Sequence, residues 1–367
     1  MSPALRACLA LAVAACSSGP STPPAEPVAE PPAEELPETE RTLTIPAEGL
    51  SLEGTLHLPA RAPGVRVPAV VLVHGSGPQS RDQAVRGQLG MSFGFAVPVF
   101  RELAEGLGAA GIAVLRYDKR SCGPFNGCAE NGYPTPPADL VIDTFLADAG
   151  AALDALKAQP EVDPERLFVL GHSQGASFVP LLAAARTDLA GGLLLAAPHR
   201  SIDRAVERQR NFLTRTMADQ GVPPPRIAAS TRPLNVALTQ LAQLRSGDLP
   251  EDVPILGAPA RFWRSWMDLG PRVIEAVKQT SVPLFFVGGG VDWNVPPEEL
   301  DAWEATLREA ERVHFVHRID CLTHALTCAA ESDPAELGPE DLGRHVHPPL
   351  VEALAGFLRG PPPTTPP

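Results

Sequence analysis

Positive charge is in short supply in this chain. Against 43 Asp and Glu there are 30 Lys and Arg, giving a net charge of −13 at pH 7. That balance argues against nucleic acid as a partner and leaves no basic face for anionic lipid. Beyond the N-terminus there is no run of 18 apolar residues, so no later segment reads as bilayer-crossing. The 6 cysteines never fall in C-x-x-C spacing, which disfavours zinc. No internal repeat is visible. What is present is a chain of 367 residues that is 44% hydrophobic. That is enough for one large α/β domain or two smaller ones with a sizeable core.

The first residues read as a targeting segment. Arg6 supplies a positive charge, and the apolar stretch from Ala7 to Ala15 is too short to span a bilayer. Val13-Ala14-Ala15-Cys16 resembles a bacterial lipobox, which implies that residues 1–15 are a lipoprotein signal peptide and that Cys16 carries the lipid. Residues 16–40 are rich in proline and glutamate and hold no basic residue, the composition of an extended tether. Residues 361–367 read as an unstructured tail. With Cys8 lost and Cys16 lipidated, Cys122, Cys128, Cys321 and Cys328 remain in a compartment that permits disulfides. Four cysteines allow three pairings, of which the short-range one is the simplest.

Between the two ends, residues 41–360 read as one domain. Thr42–Ile45 and Leu52–Leu58 alternate with period two around Glu48-Gly49, predicting an antiparallel hairpin. Buried-strand runs then alternate with helical stretches: Pro68–Val73, Ile112–Tyr117, Leu167–Leu170, Leu193–Leu195, Pro283–Val287 and Val313–Ile319 as strands, with helices between and after them. The pattern predicts a mostly parallel, eight-stranded sheet covered by helices on both faces. Residues 201–280 break the rhythm. They are polar and proline-interrupted, with amphipathic pieces at Ala205–Asp219 and Leu234–Leu244, and read as a helical lid insertion. Its Phe262, Trp263, Trp266 and Met267 are expected to pack the insertion onto the body.

The most informative stretch is Gly171-His172-Ser173-Gln174-Gly175. An apolar strand precedes it and a small-residue helical stretch, Ala176–Ala185, follows. A hydroxyl becomes a useful nucleophile when it is lifted clear of its neighbours beside a base. Glycines at Gly171 and Gly175 allow the sharp turn and close approach that this requires. A second glycine-rich turn, His74-Gly75-Ser76-Gly77-Pro78, ends an earlier strand. Backbone N–H groups there, at Ser76 together with Gln174, are candidate donors for an oxyanion. His74 reads as a structural residue bonded to the loop backbone. Asp118, Lys119 and Arg120 read as salt-bridged turn residues.

These motifs resemble the α/β-hydrolase superfamily, and within it bacterial carboxylesterases whose first loop reads H-G-S-G-P followed by Arg-Asp, here His74–Pro78 with Arg81-Asp82. Gly111–Arg120 also matches their fourth strand. The resemblance spans roughly residues 42–359 and implies the chain order serine, acid, histidine. Asp292, in the loop after Pro283–Gly290 and ahead of Val295-Pro296, fits the acid position; Asp268 and Asp320 fit it less well. His324 fits the base, because it falls between the last strand and the last helix. His314 and His317 lie within the strand pattern, and His345 and His347 at the start of the helix. Cys321 and Cys328, which bracket His324, depart from the family pattern.

The resemblance therefore implies a lipid-anchored serine esterase of the bacterial cell envelope, using Ser173, Asp292 and His324 on a small-molecule ester, with no cofactor and no metal. A serine aminopeptidase-like peptidase of the same fold is the alternative. A non-catalytic ligand-binding lipoprotein is the reading from outside enzymes, and the filled triad positions disfavour it.

Overall fold

The computed structural model describes residues 35–84, 97–122, 128, 140–311, 314–330 and 343–360. The expected signal peptide, Cys16, most of the tether and the tail lie outside the described residues. Among those described, no helix is long and apolar enough to cross a membrane.

The hairpin comes first, β1 (Thr39–Ala47) pairing antiparallel with β2 (Leu50–Leu58). Gly49 at the turn has φ +75°, a conformation that glycine adopts without steric cost. The hairpin reaches further toward the N-terminus than the sequence predicts. Leu36 bridges Arg61, and Glu40 lies in β1 and ion-pairs with Arg116 at 2.6 Å. Residues 35–40 therefore belong to the body and not to the tether, because pairing and charge hold them there.

The chain then alternates: β3 (Val67–Val73), α1 (Val99–Ala109), β4 (Ala113–Tyr117), α2 (Ile142–Lys157), β5 (Val162–His172), α3 (Phe178–Ala185) and β6 (Leu189–Leu195). The 201–280 stretch supplies α4 (Ile202–Asp219), α5 (Pro224–Ser246), a two-residue pair β7 (Pro254–Ile255) and β8 (Ala258–Pro259), α6 (Ala260–Met267) and α7 (Leu269–Gln279). The domain closes with β9 (Leu284–Gly289), α8 (Pro297–Glu309), β10 (His314–Ile319) and α9 (Pro348–Arg359). The main sheet has 8 strands in the order β1-β2-β4-β3-β5-β6-β9-β10. From β4 to β10 every pairing is parallel.

Burial explains the layers. In β3, Ala69, Val71 and Val73 face one apolar cluster with α2, α3, α7 and α8, while Val70 and Leu72 face a second with α1 and α9. Successive strand residues point to opposite faces, so both faces of β3 must be apolar, and its sequence is a continuous hydrophobic run.

The insertion differs from its predicted form in two ways. Helix α5 continues through Pro233, which the sequence reading placed ahead of the helix. It begins instead at Pro224, where a proline in the first turn costs no hydrogen bond. Helix α7 packs against α3 and contributes Leu269, Val273 and Val277 to the main core, so it belongs to the body.

Candidate active site

Four loops converge where β3, β5, β9 and β10 end, the edge at which open α/β sheets bind ligands. At the end of β5, Ser173 sits at φ +54°, in the left-handed region that a non-glycine residue occupies at a cost. The turn is tight because its glycines leave no room for anything else. A Cβ on Gly171 would overlap the Gly175 carbonyl, and one on Gly175 would overlap the carbonyls of Val73 and His74. The motif thus presses the serine turn against the end of β3.

Ser173 Oγ lies 3.1 Å from His324 Nε2. On the other side of the ring, His324 Nδ1 is 2.7 Å from Asp292 Oδ2. An ionised carboxylate only accepts, so Nδ1–H donates to Asp292, and Nε2 is left to accept the serine proton. Asp292 is 1% exposed. Its second oxygen accepts the N–H groups of Asn294 and Val295, both at 2.8 Å. The aspartate therefore pins its own turn and orients the histidine at once. Asp268 and Asp320 are exposed and stand outside this line.

His324 rides on a short loop closed on itself. Thr323 N–H donates to Thr327 O at 2.9 Å, the two threonine hydroxyls meet at 2.9 Å, and Ala329 N–H donates to Cys321 O at 2.8 Å. The structure joins Cys321 to Cys328 and Cys122 to Cys128. Of the other histidines, His345 is exposed beside Glu102, and His317 lies in β10 near the Phe285 ring. His347 caps α9. Among the described residues, ligand-type side chains converge at Cys321, Cys328 and His347, whose atoms lie within 4.8 Å of one another. The disulfide engages both sulfurs, so the trio offers a metal one imidazole nitrogen.

The loop after β3 is fastened by charge. Arg81 grips Asp118 with Nε at 3.1 Å and Nη2 at 2.6 Å, and also bonds Glu53 and Thr55. The neighbouring Asp82 pairs back to Arg116 on β4. These crossed pairs give the Arg81-Asp82 motif its structural meaning. Arg120 is paired with Asp148. Lys119 departs from the expected salt bridge. Its Nζ donates to Gly75 O at 2.7 Å and to Gln174 Oε1 at 2.9 Å, and it sits 4.4 Å from the Phe145 ring centroid. Burial pulls its ammonium down to about 7, against the pull of Asp148.

His74 is buried at the start of the same loop, and its ring packs between Phe100 and Tyr117. Burial, with the Lys119 charge adding to it, lowers its pKa to about 3 against the opposing pull of the Ser80 and Tyr117 backbone, and keeps it neutral.

Sequence reading missed two further residues. Gly75 N–H donates to Gln83 Oε1 at 3.2 Å, and Gln83 Nε2 lies 2.9 Å from His172 Nδ1. His172 Nε2 in turn lies 2.9 Å from the His324 carbonyl. A carbonyl accepts, so Nε2 carries the proton and Nδ1 accepts from Gln83. Burial, helped by His324, holds the His172 pKa well below the usual histidine value, which keeps this neutral tautomer. The only sequence signal was a polar ring at a motif position that tolerates any residue.

A model of the serine aminopeptidase S33 family matches residues 94–330, well over half of the chain. The chain belongs to that family. The match begins after the His74–Pro78 loop and takes in Ser173, Asp292 and His324. Esterase EstD of Thermotoga maritima is 29% identical over 293 residues, covering 79% of this chain. The chain spans 62% of the length of that relative. Among solved structures, Est1E from Butyrivibrio proteoclasticus superposes with a TM-score of 0.50 at 18% identity, over 86% of this chain and 97% of that one. A Mycobacterium tuberculosis puromycin-hydrolyzing peptidase gives 0.52 at 16% identity, over 88% and 39%. At these identities the structural likeness shows the shared fold, which is of the α/β-hydrolase type.

Within this S33 member, α4 stands beside the acid loop. Phe212 stacks on Trp293 with ring centroids 4.7 Å apart and planes 8° from parallel. A cleft of about 990 Å³ opens beside this pair, lined by Arg204, Arg208, Arg215 and Asp292 among others. Phe262 and Trp263 are buried, as expected of packing residues, and Trp263 Nε1 donates to Ile255 O at 2.8 Å.

Proposed function

We propose that this protein is a serine hydrolase that cleaves carboxylic esters through an acyl-serine intermediate. The observation that carries the reading is the unbroken line Ser173 Oγ–His324–Asp292, with links of 3.1 and 2.7 Å. Ser173 attacks the ester carbonyl as His324 Nε2 takes its proton. Asp292 holds the ring in the required tautomer and stabilises the imidazolium. The developing oxyanion lies against the N–H groups of Ser76 and Gln174. His324 then returns the proton to the departing alcohol. Water repeats the sequence on the acyl-serine and releases the acid. The similarity to an esterase supports the ester reading, and the family's peptidase members keep amide cleavage as the rival. Helices α4 and α5 act in this proposal as a lid over the acid side. Cys16 is proposed to anchor the enzyme by lipid at the bacterial envelope.

A fluorophosphonate probe should label the wild type at Ser173 and leave Ser173→Ala unlabelled. Acyl p-nitrophenyl esters should be turned over faster than aminoacyl p-nitroanilides. Faster cleavage of the amides would transfer the assignment to a peptidase, and no labelling of the wild type would sink it altogether.

A further inference from the structure

Three consecutive charged residues follow β4, and the middle one stands apart. Asp118 and Arg120 find opposite charges in Arg81 and Asp148. Among the described residues, Lys119 has no carboxylate within ion-pair distance, yet it is 4% exposed. A buried ammonium without a carboxylate is unfavourable, and a methionine would fill the same space without that penalty. What Lys119 holds is therefore informative.

Its first acceptor, the Gly75 carbonyl at 2.7 Å, belongs to the peptide unit that joins Gly75 to Ser76. That unit is planar and trans, so its carbonyl and the Ser76 N–H point in opposite directions along one rigid group. Gripping the oxygen fixes the direction of the N–H and polarises it into a stronger donor. The second acceptor, at 2.9 Å, is the side chain of Gln174, whose backbone N–H is the other proposed oxyanion donor. One ammonium thus spans both donor residues, which lie on different strands' loops.

We propose that Lys119 is a positioning residue of the oxyanion site, locking the Ser76 and Gln174 donors into one unit and polarising the Gly75–Ser76 peptide. This rests on the serine-hydrolase reading above. The groups facing Lys119 leave it to this task. His74, from the end of β3, is neutral; Tyr117 lies behind it; Asp148 of α2 is engaged by Arg120.

Lys119→Met keeps the stem and removes the nitrogen, and Lys119→Gln keeps a shorter, neutral donor. Each variant is titrated with a fluorophosphonate so that turnover is expressed per labelled Ser173. Lys119→Met should lower kcat per labelled site by about 10²–10³, the loss typical of a missing oxyanion donor, with KM within about threefold of wild type. A trifluoromethyl ketone, which adds Ser173 Oγ to give a tetrahedral oxyanion, should lose affinity by the same factor as kcat/KM. Lys119→Gln should recover part of both losses. A merely structural lysine would give fewer labelled sites and a lower Tm, with turnover per site and ketone affinity unchanged; that result overturns the inference and leaves the hydrolase reading standing. A wild type that takes no label overturns both.

Discussion

Two loops flank Ser173, and different chemistry holds each. The loop after β3, which brings Ser76, is fastened to β4 by the crossed pairs Arg81–Asp118 and Asp82–Arg116. The loop after β10, which brings His324, is closed by the Cys321–Cys328 bridge and the Thr323–Thr327 bonds. The charge pairs join residues that are 37 and 34 positions apart. The disulfide joins residues 7 apart. A bridge across so short a loop removes little entropy from the unfolded chain, so its main effect is local. A buried ion pair between distant segments is bound up with the assembled fold, and losing one member strands the other charge in a dry site. The first loop is thus secured by global folding, and the second carries its own brace.

The largest effect should come from the loop contents themselves. His324→Ala should lower kcat by about 10⁴–10⁶, whereas His345→Ala, at an 82% exposed side chain, should leave it near wild type. Steady-state kinetics on one ester decide this, and an essential His345 with a dispensable His324 would move the base elsewhere. Next, Asp118→Ala should destabilise the fold by about 3 kcal/mol, the low end for a broken buried pair, because Arg81 retains only the half-exposed Glu53 as a partner. Urea denaturation measures it, and a loss no greater than that of an exposed pair would dissolve the contrast between the loops. Replacing Cys321 and Cys328 together by serine should cost only about 2–3 kcal/mol, and kcat should fall further than that loss suggests. A histidine displaced by about 1 Å can cost on the order of 100-fold in rate. A lower Tm with unchanged turnover would refute the local role.

The smallest signal is a slope with pH. Lys119 has its pKa lowered from 10.5 to about 7. As pH falls through that window the unfolded chain takes up a proton that the folded one does not, so this group's stability contribution declines and levels off below about 7. Wild type should therefore gain stability relative to Lys119→Met between pH 7 and pH 9, read from paired urea curves. Parallel curves would place the amine in a wetter setting.

The parts that were legible in the sequence are those written in local pattern or chain order. Strand runs such as Val67–Val73 announce themselves because both faces are buried, and Gly171 and Gly175 because their neighbours exclude a side chain. Asp292 and His324 could be chosen by order along the chain. What could not be read depends on partners far apart in sequence. Nothing near Lys119 distinguishes it from its salt-bridged neighbours; its acceptors are 44 and 55 positions away. The start of β5 was hidden because Asp163, Pro164 and Glu165 look like a turn, although Val162–His172 runs as one strand. Helix α7 reads as part of the insertion in the sequence because its boundary with α6 carries no break in composition, while its apolar side faces the body.

The line from the Gly75 amide through Gln83 and His172 to the His324 carbonyl also governs how this protein could be rebuilt. Three separate loops share one set of seams, so they cannot be exchanged singly. A chimera that imports a relative's serine turn with leucine at position 172 would open two joints at once, leaving Gln83 without its acceptor and the His324 carbonyl without its donor. A graft of residues 74–83, 171–175 and 320–328 together would carry every seam with it. Helices α4 and α5 contribute no residue to that line, so they form the module that can be exchanged without opening any of its seams.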